Sequence, residues 1–393
     1  MSRLSLLAEA NWLSADRARA YGRVLLAMTV LLAALWIGLA RNGVDRMGHP
    51  LGTDFLSFWA ASDIAQSGRP ADVYDPMVHG QREQELFPDD GKQGYAAFFY
   101  PPTYLLLCLP LALLPYFWSL AAWIGVTFLA YWRSVRALLP GPGMALPIFA
   151  YPAVLLVAGN GQNALLTTAL FAAAAHWLDA QPLLAGLCLG ALCIKPHLCI
   201  LVPVTLLASR HWRAVLGAAI GVAGLVLASL LLLGADTWRG FLHIAPLARQ
   251  TLEQGLVEPG KMPSVFAAFR VLTAPLPVAY AAQIAAGVAA AAVLIWLRHA
   301  RDAAGQVAAL VAATLLATPF LLDYDLTLAA VPLAWVFARA QAGGFLRWEK
   351  IVLAAAFVLP LLARSLATWF SLPAGPLVDA ALLAVVARRL AAR

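Results

Sequence analysis

Long apolar runs, each closed by a short polar or charged stretch, recur along almost the whole chain. They cover roughly 22–40, 103–133, 144–159, 163–179, 183–195, 197–209, 213–234, 277–297, 304–321, 325–340, 349–365 and 376–390. A bilayer core of about 30 Å calls for about 20 apolar residues per helix. The runs are continuous rather than alternating, which excludes a membrane barrel. The pattern therefore predicts an all-α polytopic membrane protein with about 12 transmembrane helices. The 103–133 run is too long for one helix and too short for two. Pro110 and Pro115 are its candidate break points.

Two polar stretches interrupt the runs. The first, 41–99, is acidic, with Asp54, Asp63, Asp72, Asp75, Glu83, Glu85, Asp89 and Asp90. Its Phe55–Gln66 part has the pattern of an amphipathic helix lying in the membrane interface. The second, 235–276, carries Arg239, Arg249, Lys261 and Arg270. Neither is long enough for a typical soluble domain, so 1–393 is expected to form a single integral membrane domain with two larger outer loops. Around Asn160-Gly-Gln162 and Lys195-Pro-His197 the apolar segments are short. They read as helices that turn back near one face, where exposed backbone needs a protein-lined or wet cavity.

Charge sets the orientation. Bases recur in clusters at alternate segment ends: Arg17, Arg19 and Arg23, then Arg133 and Arg136, Arg210 and Arg213, Arg298 and Arg301, Arg347 and Lys350, Arg388 and Arg389. The positive-inside rule puts these ends and the N-terminus in the cytoplasm and both polar stretches outside. It also requires 103–133 to cross once in net terms. The 22–40 run is expected to be a retained anchor, since Arg41-Asn-Gly-Val follows it instead of a small-residue cleavage site. The chain is thus placed in the plasma (cell inner) membrane as a multi-pass protein.

Composition agrees: 62% of residues are hydrophobic and only 12% charged, against about 25% charged in soluble domains. The net charge of +7 does not indicate nucleic acid, because the bases are dispersed at segment ends. Cys108, Cys188, Cys193 and Cys199 lie in apolar runs without a CxxC and read as core residues.

The polar residues left unexplained converge on the outer side: Asp54, Tyr100, Gln162, Lys195, His197, Asp323, Tyr324 and Asp325. Asp54, in a Trp/Phe-rich segment at the bilayer surface, is the candidate general base; the competing reading is an N-cap of the helix that follows. Asp63 either shares its face or is solvated. Lys195 interrupts an apolar stretch, and Pro196 breaks the helix beside it. It is the candidate for binding a donor phosphate, against a lysine that snorkels to the surface. His197 either donates to the same phosphate or packs. Arg270 and Lys261 are further candidate cations, with a solvated loop face the plainer role for Lys261. Tyr100 and Gln162 are candidate contacts to sugar or acceptor hydroxyls, while Gln162 equally serves to satisfy the turn's backbone. Asp323 and Asp325, flanking Tyr324, are placed to orient acceptor hydroxyls, to pair with Lys195 or to bind a divalent ion. Positions i and i+2 of a helix do not face each other, so a metal site from this pair is weak, and no metal is assigned. Walker, GxGxxG, HExxH, GxSxG and kinase patterns are absent from the sequence.

These motifs resemble a known family. Gly52-Thr-Asp54-Phe-x-x-Phe58-Trp59-Ala-Ala-Ser62, with Gly68-Arg-Pro-Ala71 and Val73-Tyr74-Asp75 after it, is similar to the first outer loop of glycosyltransferase family 87. Phe99-Tyr-Pro-Pro102, Pro110-Leu-Ala-Leu-Leu-Pro115, Asn160-Gly-Gln162, Ile194-Lys-Pro196 with Arg210-x-Trp-Arg213, and Pro319-x-x-x-Asp-Tyr-Asp325 extend the similarity over about residues 50 to 340. The resemblance implies a GT-C fold with an acidic base in the first outer loop, which lands on Asp54. It implies a polyprenyl-phosphate sugar as donor, a lipid or glycan acceptor, inversion at the anomeric carbon, and no required metal or cofactor. Mannose is the default sugar. The alternative class is a transporter or flippase for a lipid-linked sugar or small anion, whose intramembrane charges and broken helices would look alike. A structural membrane subunit is a third reading.

Overall fold

The computed structural model describes residues 7–88, 96–139, 141 and 145–392; Asp89 and Asp90 lie outside them. The regular secondary structure of the described residues is helical, apart from isolated bridges joining Arg41 to Val44 and Val44 to Pro50. The helices are α1 (Ala15–Leu39), α2 (Thr53–Gln66), α3 (Pro76–Leu86), α4 (Pro102–Cys108), α5 (Tyr116–Leu138), α6 (Ala145–Phe149), α7 (Ala153–Asn160), α8 (Ala164–Trp177), α9 (Pro182–Ala191), α10 (Val202–Ala208), α11 (Trp212–Leu233), α12 (Ala235–Glu253), α13 (Val265–Val271), α14 (Leu276–Trp296), α15 (Ala303–Ala317), α16 (Ala330–Gly343), α17 (Glu349–Phe370) and α18 (Gly375–Ala391).

Among the described residues, five helical stretches are long and apolar enough to cross a membrane: Ala15–Leu39, Trp212–Leu233, Leu276–His299, Asp323–Gly343 and Glu349–Phe370. Other apolar segments form shorter helices, among them α8 and α15. The two prolines do break the 103–133 run. Pro110 precedes a short 3-10 turn at Leu111–Leu113, and Pro115 stands at the N-cap of α5.

The helices pack in two ways. Around α2 the packing is aromatic: Phe58 lies edge-on to Phe98, Tyr100, Tyr104 and Trp123, with ring centroids 5.0 to 6.5 Å apart. Such pairs add to the apolar area they bury. Elsewhere the core is rich in alanine and glycine. At the α9–α11 crossing, a Cβ on Gly186 would stand 2.1 Å from the Ala214 carbonyl oxygen, one on Gly190 2.3 Å from that of Ala218, and one on Gly217 2.2 Å from that of Leu183. Only glycine allows this approach, as at small-residue crossings of membrane helices. α9 leads into a 3-10 turn, Leu192–Ile194, and then to Lys195, so the crossing fixes where that lysine sits.

One element departs from the sequence expectation. α2 starts at Thr53 rather than Phe55, and an unbroken run from Phe55 to Ser62 is buried. Its residues are hydrophobic on nearly all sides and the protein encloses them, so it is an internal helix rather than an amphipathic one lying on a surface. Asp63, near its end, pairs with Arg82 of α3 at 2.7 Å.

Candidate functional site

Two glycines bring the site together. Gly52 takes a left-handed conformation (φ 77°) at the N-cap of α2. The Tyr116 hydroxyl donates to its carbonyl at 3.0 Å and to that of Leu51 at 2.8 Å. Gly161, also left-handed (φ 66°), ends α7, and a Cβ there would lie 2.5 Å from Cβ of Phe55. Trp123 holds this turn by donating to the Gly161 carbonyl at 3.0 Å. The next residue, Gln162, is thereby set against the first turn of α2.

Asp54 is half-buried in that first turn. It does not cap the helix, because Gly52 holds the cap position. Its Oδ2 instead accepts from Nε2 of Gln162 at 3.0 Å. The same Nε2 lies 3.0 Å from the Tyr324 hydroxyl, and the Tyr100 hydroxyl donates to Oε1 of Gln162 at 3.1 Å. One amide therefore joins Asp54, Tyr100 and Tyr324, drawn from segments far apart in sequence. Thr53 adds a second link between α2 and α7, with its hydroxyl 3.1 Å from Asn160 Oδ1.

Behind Tyr324 stands an ion pair. Lys195 and Asp325 are 4% and 1% exposed, and Nζ lies 2.5 Å from Oδ1. The ammonium also sits 5.3 Å from the centre of the Tyr324 ring, a cation–π contact. Oδ2 of Asp325 accepts from the Leu322 amide at 3.2 Å. Lys195 thus points inward to a carboxylate and does not snorkel to the surface. Of the roles open to Asp325 in the sequence, the structure displays the pairing with Lys195. Asp323 is separate: its Oδ1 accepts from the Tyr324 amide at 2.9 Å, and its charge interacts with those of Lys261, Arg364 and Asp54.

Two further sequence candidates are Arg270 and His197. Arg270 donates from Nη1 to the Ala274 carbonyl at 2.9 Å, closing the end of its own helix α13. His197 lies near Lys195, but its imidazole Nε2 is buried without a hydrogen bond, and its backbone carbonyl accepts from Thr318 at 3.3 Å. Among the described residues no three His, Cys, Asp or Glu side chains gather as a metal-ligand set.

The geometry also brings in residues that the sequence reading did not select. Asn163 and Tyr104, both 0% exposed, stand beside Tyr100, and their side-chain polar atoms complete no hydrogen bond. Arg364 ion-pairs with Glu258 at 3.0 Å at the edge of the Asp323–Ala329 turn. Arg364 had a visible signal, as a lone charge inside an apolar stretch. Asn163 and Tyr104 had none, since single polar residues in apolar helices are common.

No curated protein and no solved structure shows significant similarity to the chain. The profile of glycosyltransferase family 87 matches residues 98–321. That stretch contains Tyr100, Gln162, Lys195 and Arg270, begins after Asp54, and ends just before Asp323. It covers more than half of the chain, and the chain belongs to glycosyltransferase family 87.

Proposed function

We propose that this membrane glycosyltransferase moves a hexose, mannose by default, from a polyprenyl-phosphate sugar to a hydroxyl of a lipid or glycan acceptor. The chain acts as one membrane-embedded GT-C unit, and the reaction takes place on the extracytoplasmic face. The observation that carries the reading is the bonded series Asp54–Gln162–Tyr324, with the Lys195–Asp325 pair directly behind it. A half-exposed carboxylate held by a neutral amide is free to take a proton. A fully paired one is not.

In this reading Asp54 takes the proton of the acceptor hydroxyl as its oxygen attacks the anomeric carbon. The bond from that carbon to the phosphate oxygen breaks, and its electron pair leaves with the phosphate. Attack opposite the leaving group inverts the configuration. Gln162 orients the carboxylate, and Tyr100 and Tyr324 present hydroxyls to the sugar or the acceptor. Lys195 supplies positive charge on the leaving-group side, where preorganised charge acts most strongly.

The test is Asp54→Asn in proteoliposomes, with transfer of radiolabelled sugar to acceptor as readout. General-base catalysis is worth about 10²–10⁴-fold, so a loss of that order is expected while folding is retained. Undiminished turnover overturns the assignment of the base. Label that crosses the bilayer without becoming covalently attached would make the chain a transporter of the lipid-linked sugar.

A further inference from the structure

Lys195 is poorly placed to be the first cation a phosphate meets. It is 4% exposed and its charge is already balanced by Asp325 at 2.5 Å. Drawing it away would leave a buried carboxylate uncompensated, which is costly. An anion arriving from outside needs cations at the rim of the same site.

Two such cations stand there. The Asp323–Ala329 turn packs on α17 through Leu326, which clusters with Leu359 and Ala363. Arg364 follows Ala363 directly. Its guanidinium is 55% exposed and, among the described residues, contacts one carboxylate, Glu258, at 3.0 Å. The short turn Pro259–Lys261 is docked on the same helix. The Thr368 hydroxyl donates to Glu258 Oε1 at 2.7 Å, and Gly260 packs so closely on Thr368 that a Cβ would fall 2.2 Å from its hydroxyl oxygen. Docking this turn brings Lys261 onto the same short turn as Glu258, the partner of Arg364, with the Lys261 amide donating to the Glu258 carbonyl at 2.9 Å. Lys261 is half-buried, and among the described residues its ammonium takes part in no salt bridge or hydrogen bond.

We infer that Lys261 and Arg364 form a phosphate-binding pair at the mouth of the site, taking the phosphate of a lipid-linked donor while Lys195 remains a buried positioning charge. The inference rests on the proposed donor class, because it assigns the residues that receive that donor's phosphate. Glu258 competes for the same cations. Thr368, with Arg364 and Lys261, holds its carboxyl below the ordinary range, so it is ionised at neutral pH and must yield when the phosphate binds.

The experiment measures binding of farnesyl phosphate, farnesol and inorganic phosphate to the full chain in phosphatidylcholine nanodiscs. Lys261→Gln and Arg364→Gln are each expected to weaken farnesyl phosphate binding about tenfold, as loss of one charge-assisted contact does. Glu258→Gln is expected to tighten it, a sign that a merely structural role would not produce. Lys350→Gln, at the far end of α17, serves as control and should leave binding unchanged. Competition by inorganic phosphate alone would mark a free-phosphate site; recognition only of the prenyl ester would mark a lipid donor. Both outcomes uphold the pair. Equal binding of farnesol and farnesyl phosphate, or normal binding in the Lys261→Gln/Arg364→Gln double variant, overturns it. The readout does not involve Asp54. An Asp54→Asn protein that transfers sugar normally would sink the base and leave the phosphate pair standing.

Discussion

Two carboxylates around the Gln162 hub are held in opposite ways. Asp54 projects from an aromatic region, is half-exposed, and meets a neutral amide at 3.0 Å. Asp325 lies in the Asp323–Ala329 turn, is 1% exposed, and meets the ammonium of Lys195, which follows the small-residue crossing, at 2.5 Å. The packing around each fits its chemistry. Large rings interlocked around Phe58 make a stiff wall that still leaves an edge open at Asp54. Alanine and glycine let backbones close on one another until water is excluded, and a charge there is tolerable only when paired. The difference separates a group free to react from one that organises the site.

That comparison can be broken most forcefully at the ion pair. Lys195→Met leaves Asp325 buried without its partner. A loss of about 3–5 kcal/mol in stability is expected, read as a lower unfolding temperature in detergent or a failure to accumulate. The double change Lys195→Met/Asp325→Leu should recover much of that stability, because apolar residues often replace a buried pair without penalty, while transfer stays lost. By contrast, Asp54→Asn should leave stability nearly unchanged. If both single changes were equally destabilising, the division of labour between the two carboxylates would be wrong.

The packing contrast gives the next test. Gly190→Val places a side chain against the backbone of Ala218, which cannot move aside as a flexible side chain would. A cost of about 1–3 kcal/mol or more is expected, with transfer impaired because Lys195 shifts with α9. Phe58→Leu in the aromatic region keeps a large apolar group and should cost less than about 1.5 kcal/mol. Thermal unfolding of the two variants side by side decides the matter. A greater loss for Phe58→Leu would mean that the aromatic wall, and not the glycine crossing, sets the geometry.

Much of this was legible in the chain. The apolar runs mark the apolar helices, though five rather than about twelve of the described stretches are long enough to cross a membrane, and the punctuation at Pro110, Pro115, Gly161 and Pro196 marks the breaks, because those residues act through local backbone geometry. Asp54, Tyr100, Gln162, Lys195, Tyr324 and Asp325 stood out as polar residues in apolar surroundings, and the fold gathers them. The partner of each was not legible. Whether Lys195 meets a carboxylate or the surface depends on how closely α9 and α11 approach, a tertiary fact written in glycine spacing rather than at the lysine. The same holds for α2. Its burial follows from the rings that surround it, and a pattern of hydrophobic positions cannot reveal what lies on the far side. The contact of Arg270 is likewise local: its own helix end takes its guanidinium.

The smallest expected effect is at the rim that joins the two regions. Glu258 accepts from Thr368 at 2.7 Å and from Arg364 at 3.0 Å, and these contacts lower its carboxyl below the ordinary range. A carboxyl lowered on folding stabilises the fold above its unfolded value and loses that contribution as pH falls through the lowered, folded value. Wild type should therefore be slightly more stable than Glu258→Gln near neutral pH, and the two should converge in acid as pH falls through the lowered, folded value. The gap is small because Glu258 and Arg364 are 41% and 55% exposed and solvent screens them. Thermal unfolding of both proteins from neutral to acidic pH at low salt reads it directly. A gap that persisted unchanged in acid would show that Glu258 acts by packing the turn on α17, and the electrostatic link between the turn and the Asp323 side of the site would be lost with it.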